Sequence, residues 1–255
     1  MSAATSVSTE SAGGASTWRG LLIQPIAIVV VLVAFVIWLG TAQLSETEAA
    51  TLAPGPLLVL LVEHLKLTFV AAVIVLLIAV PLGILLTRGP FKKFSGPVIA
   101  VANIGQAAPA IGLVVLLAFW LGFGFWAAVV SLVLYSVLPV LRNTMIGLSQ
   151  VDGGLVEAAR GMGMAPMSVL LRIELPLAVP VMLAGIRTAL VLLVGTATLA
   201  AFVDGGGLGL LITTGVNLYL QRVLVSGALL VALLALSIDW LARVLEQAVT
   251  PKGLR

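Results

Sequence analysis

The sequence predicts an all-α integral membrane protein with about six transmembrane helices and both termini in the cytoplasm. Of its 255 residues, 61% are hydrophobic and 9% are charged, and the mean hydropathy is +1.25. Soluble domains are about 25% charged, so this composition indicates burial in a bilayer. Several apolar runs reach about 20 residues, which is enough to cross roughly 30 Å of hydrocarbon.

The residue types present exclude several classes of function. The chain has no cysteine and one histidine, His64, which excludes disulfide frameworks and thiolate metal sites and argues against a histidine-rich metal centre. The net charge is +3. Because the basic residues are spread over short loops without interleaved aromatics, they indicate membrane topology and not a nucleic-acid surface.

The N-terminal residues are predicted to form a tail followed by a first span. Residues 1–18 are rich in Ser, Ala, Thr and Gly, which is typical of a disordered tail, here placed in the cytoplasm. The apolar run at 21–40 is too long for a signal-peptide core and indicates an uncleaved span. Region 19–56 therefore holds the first transmembrane helix and an external loop. A basic cytoplasmic tail is predicted at 246–255.

Region 57–245 predicts the transmembrane core. Its second apolar stretch is interrupted by Asn103, Gln106 and Pro109, which indicates either a broken span around a wet cavity or hydrogen bonding between helices. A weakly apolar segment at 210–220 is too short to cross and predicts a re-entrant or interfacial segment. The predicted spans are 65–86, 97–121, 125–141, 177–203 and 223–241.

The distribution of Lys and Arg predicts the orientation. With six spans and a cytoplasmic N-terminus, ten basic residues fall inside and two, Lys66 and Arg222, fall outside. This bias follows the positive-inside rule. The chain shows no internal repeat, so it predicts one half of a transporter whose symmetry mate is a second polypeptide. The inside residues are Arg19, Arg88, Lys92, Lys93, Arg142, Arg160, Arg172, Arg243, Lys252 and Arg255.

The longest polar interruption after residue 57 lies at 157–176. Glu and Ala favour a helix there, and Asp152 or Gly153 can cap it. Gly163 weakens that helix and Pro166 favours the start of another. The segment therefore predicts a short helix, a sharp turn and a second short helix in the cytoplasm, with a small-residue surface that another protein's groove can approach. The small residues are Ala158, Ala159, Gly161 and Gly163.

The spacing of this segment resembles a family signature. Glu157-Ala158-Ala159, three residues, Gly163, nine residues and then Ile173-x-Leu175-Pro176 resembles the cytoplasmic loop of bacterial binding-protein-dependent ABC importer permeases. The resemblance implies a type I ABC importer permease fold, with residues 150–176 as the coupling loop that sits in a cleft of the ATPase subunit. The implied coupling residues are Glu157, Ala158, Ala159, Arg160, Gly161, Gly163, Pro166, Ile173, Leu175 and Pro176.

Four other stretches resemble one branch of that family. Residues 64–68, 81–85, 184–189 and 195–201 are similar to the osmoprotectant permeases, which import glycine betaine, carnitine, choline or proline betaine. Importers of methionine, phosphonates or sulfonates share the architecture and remain alternatives. An ion-gradient-driven secondary transporter is a less favoured alternative, because it would need a second half in the chain.

The resemblance also implies partners and a location. The chain is expected to be a permease and not an enzyme, binding no cofactor itself, with ATP and Mg²⁺ held by two separate ABC ATPase subunits. A second permease chain, identical or paralogous, and a periplasmic or lipid-anchored substrate-binding protein complete the assembly. It is expected in the bacterial cytoplasmic (inner) membrane, in contact with lipid and not with nucleic acid.

Polar residues within the predicted spans give candidates for the translocation path. Arg187 lies well inside the fifth span, where an arginine costs about 2.5–3.5 kcal/mol, so it must face protein or water. It can line the path, pair with a carboxylate or serve as a structural residue. Asp239 and Arg243, four apart, predict a structural ion pair. The candidate path residues are Asn103, Gln106, Arg187, Thr196 and Thr198.

The glycine-rich segment at 204–209 lacks the Lys-Ser/Thr of a phosphate-binding loop and predicts an external hinge or outer gate. Asp204 departs from the small residue expected in the family. His64 is expected at the outer interface. An aromatic cluster predicts an interfacial belt or, secondarily, a cation–π surface. The gate candidates are Asp204, Gly205, Gly206, Gly207 and Gly209, and the aromatics are Phe119, Trp120, Phe123, Phe125 and Trp126.

Overall fold

The structure, a computed structural model, describes residues 18–249, with side chains described from residue 21 onward. Within this range the chain consists of helices joined by short loops and has no strand, which confirms the all-α prediction. The tail predicted at the N-terminus lies outside the described residues except for Trp18, where the first helix begins. The predicted C-terminal tail is helical up to Val249, and residues 250–255 lie outside the described part.

The segment between the first and second spans is more helical than the sequence predicted. Helix α1 spans Trp18–Thr41, and a short α2 spans Glu46–Thr51 within the segment predicted as an external loop. Ser45 starts α2 through a capping box with Glu48. The prediction of a loop for this polar stretch did not take that signal into account. Helix α3 spans Pro54–Leu86, so the second span begins well before the predicted residue 65. Its proline at the first turn favours this early start.

The stretch predicted as the third span is two helices with a sharp bend between them, which fits the first of the two interpretations of its polar residues. Helix α4 spans Ser95–Ala107 and α5 spans Ala110–Leu121, and their axes bend by 99° at the break. Pro109 stands at the break, where its missing N–H and fixed φ favour the start of α5. A 3₁₀ turn, Gly89–Phe94, joins α3 to α4.

The middle of the chain forms the central span and the segment predicted to be cytoplasmic. Helix α6 spans Phe125–Ser149 and extends past the predicted end at residue 141. Helix α7 spans Gly153–Gly161 and α8 spans Pro166–Val169. The predicted order of short helix, turn and short helix is confirmed. The second short helix does not end, however, but continues into the next span.

That continuation forms a helical run from Pro166 to Val203. It contains a π-helical turn, Leu170–Glu174, helix α9, Leu175–Thr196, and a 3₁₀ segment, Ala197–Val203. Among the described residues, five helical runs are long and apolar enough to cross a membrane. The bent pair of α4 and α5 makes a sixth when taken as one span, in agreement with the predicted number.

The last two helices follow the glycine-rich turn. Helix α10 spans Gly209–Asn217, which is too short to cross a bilayer, as predicted. Helix α11 spans Gln221–Val249 and packs against α10 and α9. Gly215 permits the close approach of α10 and α11, because a Cβ there would lie 2.5 Å from the Leu224 backbone nitrogen.

The core lies where α6 packs between α3 and α9. Buried side chains from the three helices fill it, among them Leu67, Leu141 and Leu193. Gly185 of α9 contacts α6 closely, since a Cβ there would lie 2.7 Å from the Pro139 carbonyl oxygen. Gly185 therefore permits the close packing of α9 against α6.

Helix α1 lies at the edge of this bundle, and polar contacts attach it to α11. The Gln24 amide donates to the Asp239 carboxylate at 3.1 Å, and the Trp240 indole N–H donates to the Leu21 carbonyl at 2.8 Å. Asp239 also accepts from Arg187 of α9 at 2.5 Å and from Arg243 at 3.1 Å. We call this group of contacts around Asp239 the polar knot.

Candidate functional site

The segment predicted to be the cytoplasmic coupling loop is a capped helix followed by an ordered turn. Asp152 caps α7, its carboxylate accepting the Gly154 N–H at 2.8 Å. The cap satisfies one of the N–H groups that a helix start leaves without an intrahelical partner. Helix α7 therefore has a fixed start at the residue that the sequence offered as its cap.

The turn after α7 has the hydrogen bonds of a Schellman motif. The Met164 N–H donates to the Ala159 carbonyl at 3.1 Å, and the Gly163 N–H donates to the Arg160 carbonyl at 2.9 Å. Gly163 has a φ of +83°, which L-residues with a side chain rarely adopt. This backbone requirement explains why the signature has a glycine there, whereas the space around it is open.

The exposed surface of this segment is more apolar than the small residues suggested. Met162 is 76% exposed and Met167 is 63% exposed, and Leu155 and Leu171 are also exposed. Ala159 is buried, so it supports α7 from within. Sequence reasoning missed the methionines, although flexible methionine side chains are common at adaptable docking surfaces. Glu157, Ala158, Arg160, Gly161, Gly163, Pro166 and Pro176 are exposed, and Ile173 and Leu175 are half-buried.

A buried ion pair fixes the end of the coupling segment. Glu174, which is 4% exposed, accepts both arms of the Arg88 guanidinium, and Arg88 lies directly after α3. The Nη1–Oε1 distance is 3.0 Å. We call this pair the inner clamp. Sequence reasoning did not single out Glu174, which occupies an unspecified position of the signature.

The glycine-rich turn at the opposite end of α9 has several residues with positive φ, a conformation that glycine adopts readily. Gly206 and Gly207 have φ of +80° and +88°, and Asp204 has a left-handed φ of +59°. Gly205 donates to the Ala200 carbonyl at 2.8 Å, which closes the turn. Asp204 adopts the conformation because aspartate tolerates the left-handed region better than most residues.

Helix α3 holds this turn in place. The Gly207 N–H donates to the Glu63 carboxylate at 2.9 Å, and a Cβ on Gly209 would lie 2.0 Å from the Thr198 carbonyl oxygen. His64 is fully buried, and its Nε2 contacts the Val194 carbonyl oxygen at 3.0 Å. His64 is thus enclosed by protein beside the glycine-rich turn, in a helix that begins earlier than predicted, and its position at the outer interface stays a prediction.

Among the contacts that the structure describes, the candidate path residues have no common partner: two of them contact other helices, and the two threonines bond within their own helical run. Asn103 accepts from Arg142 of α6 at 3.1 Å, while Arg187 pairs with Asp239 of α11. The hydroxyls of Thr196 and Thr198 donate to carbonyls of the preceding turn, at 2.7 Å each. Gln106 is half-buried. Of the roles considered for Arg187, the structure shows the pairing with a carboxylate, and the predicted Asp239–Arg243 pair is present.

The aromatic cluster is mostly exposed. Trp120 is 85% exposed and Phe119 is 73% exposed, as suits side chains that face lipid at an interface. The Lys66 ammonium lies 5.1 Å from the Phe125 ring centroid, so the protein itself supplies a cation to that ring. The exposure fits an interfacial belt, which stays a prediction.

Comparison with known proteins identifies the class. The family described as "Binding-protein-dependent transport system inner membrane component" matches residues 79–251, and the chain belongs to that family. It is a permease subunit of an ABC importer, a multi-pass protein of the bacterial inner membrane, and not an enzyme. Such a permease works with a second permease, a separate ATPase and a substrate-binding protein.

Named relatives place the chain more closely. It is 44% identical over 201 residues to the glycine betaine/carnitine/choline transport system permease protein OpuCB of Bacillus subtilis (strain 168), covering 79% of this chain and 92% of that protein. It is 40% identical over 206 residues to the osmoprotectant import permease protein OsmW of Salmonella typhimurium, covering 79% and 95%.

A solved structure agrees with the fold. An inward-facing conformation of the MetNI methionine ABC transporter matches with a TM-score of 0.68 and 27% identity, covering 82% of this chain and 100% of that chain. The predicted type I importer permease fold is therefore confirmed.

Proposed function

We propose that this permease imports compatible solutes that carry a quaternary ammonium group, of the glycine betaine, choline and carnitine class. The observation that carries the proposal is the 40–44% identity to permeases named for those solutes and for osmoprotectants, over about four fifths of the chain. The stretches at 64–68, 81–85, 184–189 and 195–201 support the same branch.

The coupling role of residues 150–176 is part of this proposal. The rigid Schellman turn at Gly163 and the exposed Met162 and Met167 support docking of this loop in a groove of the ATPase subunit. Two ATPase subunits bind ATP and Mg²⁺ and grip two such loops, one on each permease chain. Both termini then lie in the cytoplasm, on the side of the ATPase, as the positive-inside bias supports.

The second permease chain is identical or paralogous, and a periplasmic or lipid-anchored binding protein delivers the solute. The turn at 204–209 acts as the outer gate. The contact of Gly207 with Glu63 supports this role, since it holds the turn against α3. Asn103, Gln106, Arg187, Thr196 and Thr198 remain candidates for the path, with Arg187 acting through its pair with Asp239.

Uptake of radiolabelled glycine betaine tests the substrate class. The chain is expressed with its ATPase and binding-protein partners in a bacterium that lacks osmoprotectant transport, at high osmolarity. We expect uptake that disappears when the ATPase is made inactive by mutation. Uptake of methionine, and none of glycine betaine, choline or carnitine, would overturn the proposal in favour of the methionine importers that the fold also resembles.

A further inference from the structure

The inner clamp joins two segments that are far apart in sequence. Arg88 follows α3, and Glu174 lies at the end of the coupling segment, 86 positions later. A guanidinium that meets a carboxylate through two parallel hydrogen bonds fixes orientation as well as distance. The pair therefore resists rotation of the coupling segment relative to the end of α3.

A cavity of about 260 Å³ lies beside the clamp. Val156 of α7, Thr87 and Ser95 line it together with the two residues of the clamp. Near the clamp, Ile84 of α3 and Leu170 pack against one small apolar cluster, and apolar contacts are not directional. The ion pair therefore adds a directional connection between the coupling segment and the end of α3.

The other end of α3 is held just as specifically. Glu63 accepts the Gly207 N–H, and the neighbouring His64 contacts the Val194 carbonyl. At 1.5 Å per residue, Glu63 and Arg88 are about 37 Å apart along α3 and its following turn. Helix α3 thus has one polar attachment to the coupling segment and another to the glycine-rich turn, at opposite ends of the bundle.

We infer that Arg88 and Glu174 are positioning residues that transfer displacement of the coupling segment to α3, which carries it to the turn at 204–209. This inference rests on the proposed coupling role of residues 150–176. A helix transmits an axial or tilting displacement through its backbone hydrogen bonds, of which Pro81 removes one in α3. Loss of the fork removes the directional contact through which the coupling segment moves α3.

A spin label on α3 tests the transfer independently of the transported solute. The chain has no cysteine, so Leu58→Cys, 61% exposed in the outer part of α3, takes one label. In the purified complex with its ATPase, we expect ATP to change the label spectrum. Glu174→Gln keeps the side-chain volume but removes the charge, and we expect it to abolish most of that change while ATP still binds.

A matched control is Glu48→Gln, which makes the same chemical change in the Arg222–Glu48 pair on α2 and α11. We expect it to leave the ATP-dependent spectral change intact. Uptake per ATP hydrolysed gives a second readout, expected to fall about tenfold in Glu174→Gln, as for loss of a charge-assisted hydrogen bond, and to stay unchanged in the control.

Two results would overturn the inference: an unchanged ATP response in Glu174→Gln, or no response at Leu58→Cys in the parent complex. If Glu174→Gln does not assemble, Arg88→Lys keeps the charge and loses the fork, and a normal response in that variant overturns the inference equally. Absence of glycine betaine uptake alone would count against the proposed substrate and leave the label result standing. A purely structural pair would change stability without changing either readout.

Discussion

The molecule contains two Arg–Glu pairs that are nearly matched in burial and lie in different surroundings. Arg88 and Glu174 have side chains that are 35% and 6% exposed, and Arg222 and Glu48 have side chains that are 39% and 6% exposed. The first pair joins the end of α3 to the coupling segment. The second, which we call the outer pair, joins α2 to the start of α11.

The two carboxylates differ in what else holds them. Glu48 also accepts the Ser45 N–H at 2.9 Å as part of the α2 capping box, and its bond to Arg222 is 3.1 Å long. Glu174 has the two-armed Arg88 as its hydrogen-bond partner. Local structure therefore secures the outer carboxylate, whereas the inner one depends on a residue of another segment. The dependence of Glu174 on Arg88 suits a contact between segments that move relative to each other. The two partners of Glu48 suit a contact that keeps α2 and α11 together.

The largest expected loss of uptake comes from substitutions in the turn at Gly163, which precedes the inner clamp. Gly163→Pro removes the N–H that bonds Arg160 and cannot adopt a φ of +83°, so we expect uptake to fall by about 100-fold, as for a backbone change of roughly 3 kcal/mol. The ATPase would hydrolyse ATP without transport. Gly163→Trp is expected to act in the same direction through strain and bulk.

Gly40→Ala is the control, because Gly40 lies in α1, outside the coupling segment, without a positive φ, and a Cβ there meets open space. Its uptake should remain close to that of the parent. Normal uptake by membrane-inserted Gly163→Pro or Gly163→Trp would show that the turn does not couple the ATPase to the permease.

The second largest expected effect is a difference between the inner clamp and the outer pair in how much each stabilises the folded protein. Arg88→Ala leaves the Glu174 carboxylate buried without its partner, and we expect a loss of about 1–3 kcal/mol, below the value for a fully buried pair because Arg88 is about one third exposed. Arg222→Ala should destabilise less, since Ser45 still holds Glu48. Thermal unfolding of the purified chain in detergent at neutral pH measures both, and equal losses would contradict the comparison.

The smallest effect concerns the pH dependence of the outer pair. The Ser45 N–H, followed by Arg222, keeps the pKa of Glu48 below its ordinary value of 4.5, against the opposing effect of desolvation. Because the folded pKa is depressed, Glu48 stabilises the protein above pH 4.5, and this stabilisation is lost as the pH falls through the folded value.

We therefore expect the difference in melting temperature between the parent and Glu48→Gln to be constant near neutral pH. It should shrink as the solution is acidified below 4.5. The exposed carboxylate of Glu46 on the same helix provides a control variant, Glu46→Gln. A difference between parent and Glu48→Gln that grows on acidification would show that the sign is wrong.

The sequence predicted the span number and the order of short helix, turn and short helix in the coupling segment, and it gave a break near Pro109 as one of two interpretations, because each depends on local chemistry. Hydropathy marks spans, proline breaks helices, and Gly163 satisfies a backbone requirement that can be recognised from spacing alone. The early start of α3 was missed because polar residues such as Glu63 lowered the hydropathy of its outer part. Those residues are polar because they hold the glycine-rich turn.

Pairings across the fold could not be predicted. Glu174 is a single acid in an apolar run, and nothing in one sequence connects it with Arg88. Burial of His64 likewise depends on which helices surround it, not on its neighbours along the chain. Arg187 lies between these cases, since its position required a partner or water, but only the fold shows that the partner is Asp239.

The polar knot also has a consequence for biosynthesis. Helix α1 is made first and α11 last, so Gln24 meets Asp239 only after 215 further residues have been added. Until then Arg187 is in the bilayer without the carboxylate that balances it, which is costly. A chain truncated before α11 would leave this charge without Asp239 and α1 without its polar contacts to α11. The first and last helices and the charge of the fifth span therefore meet at one carboxylate, Asp239.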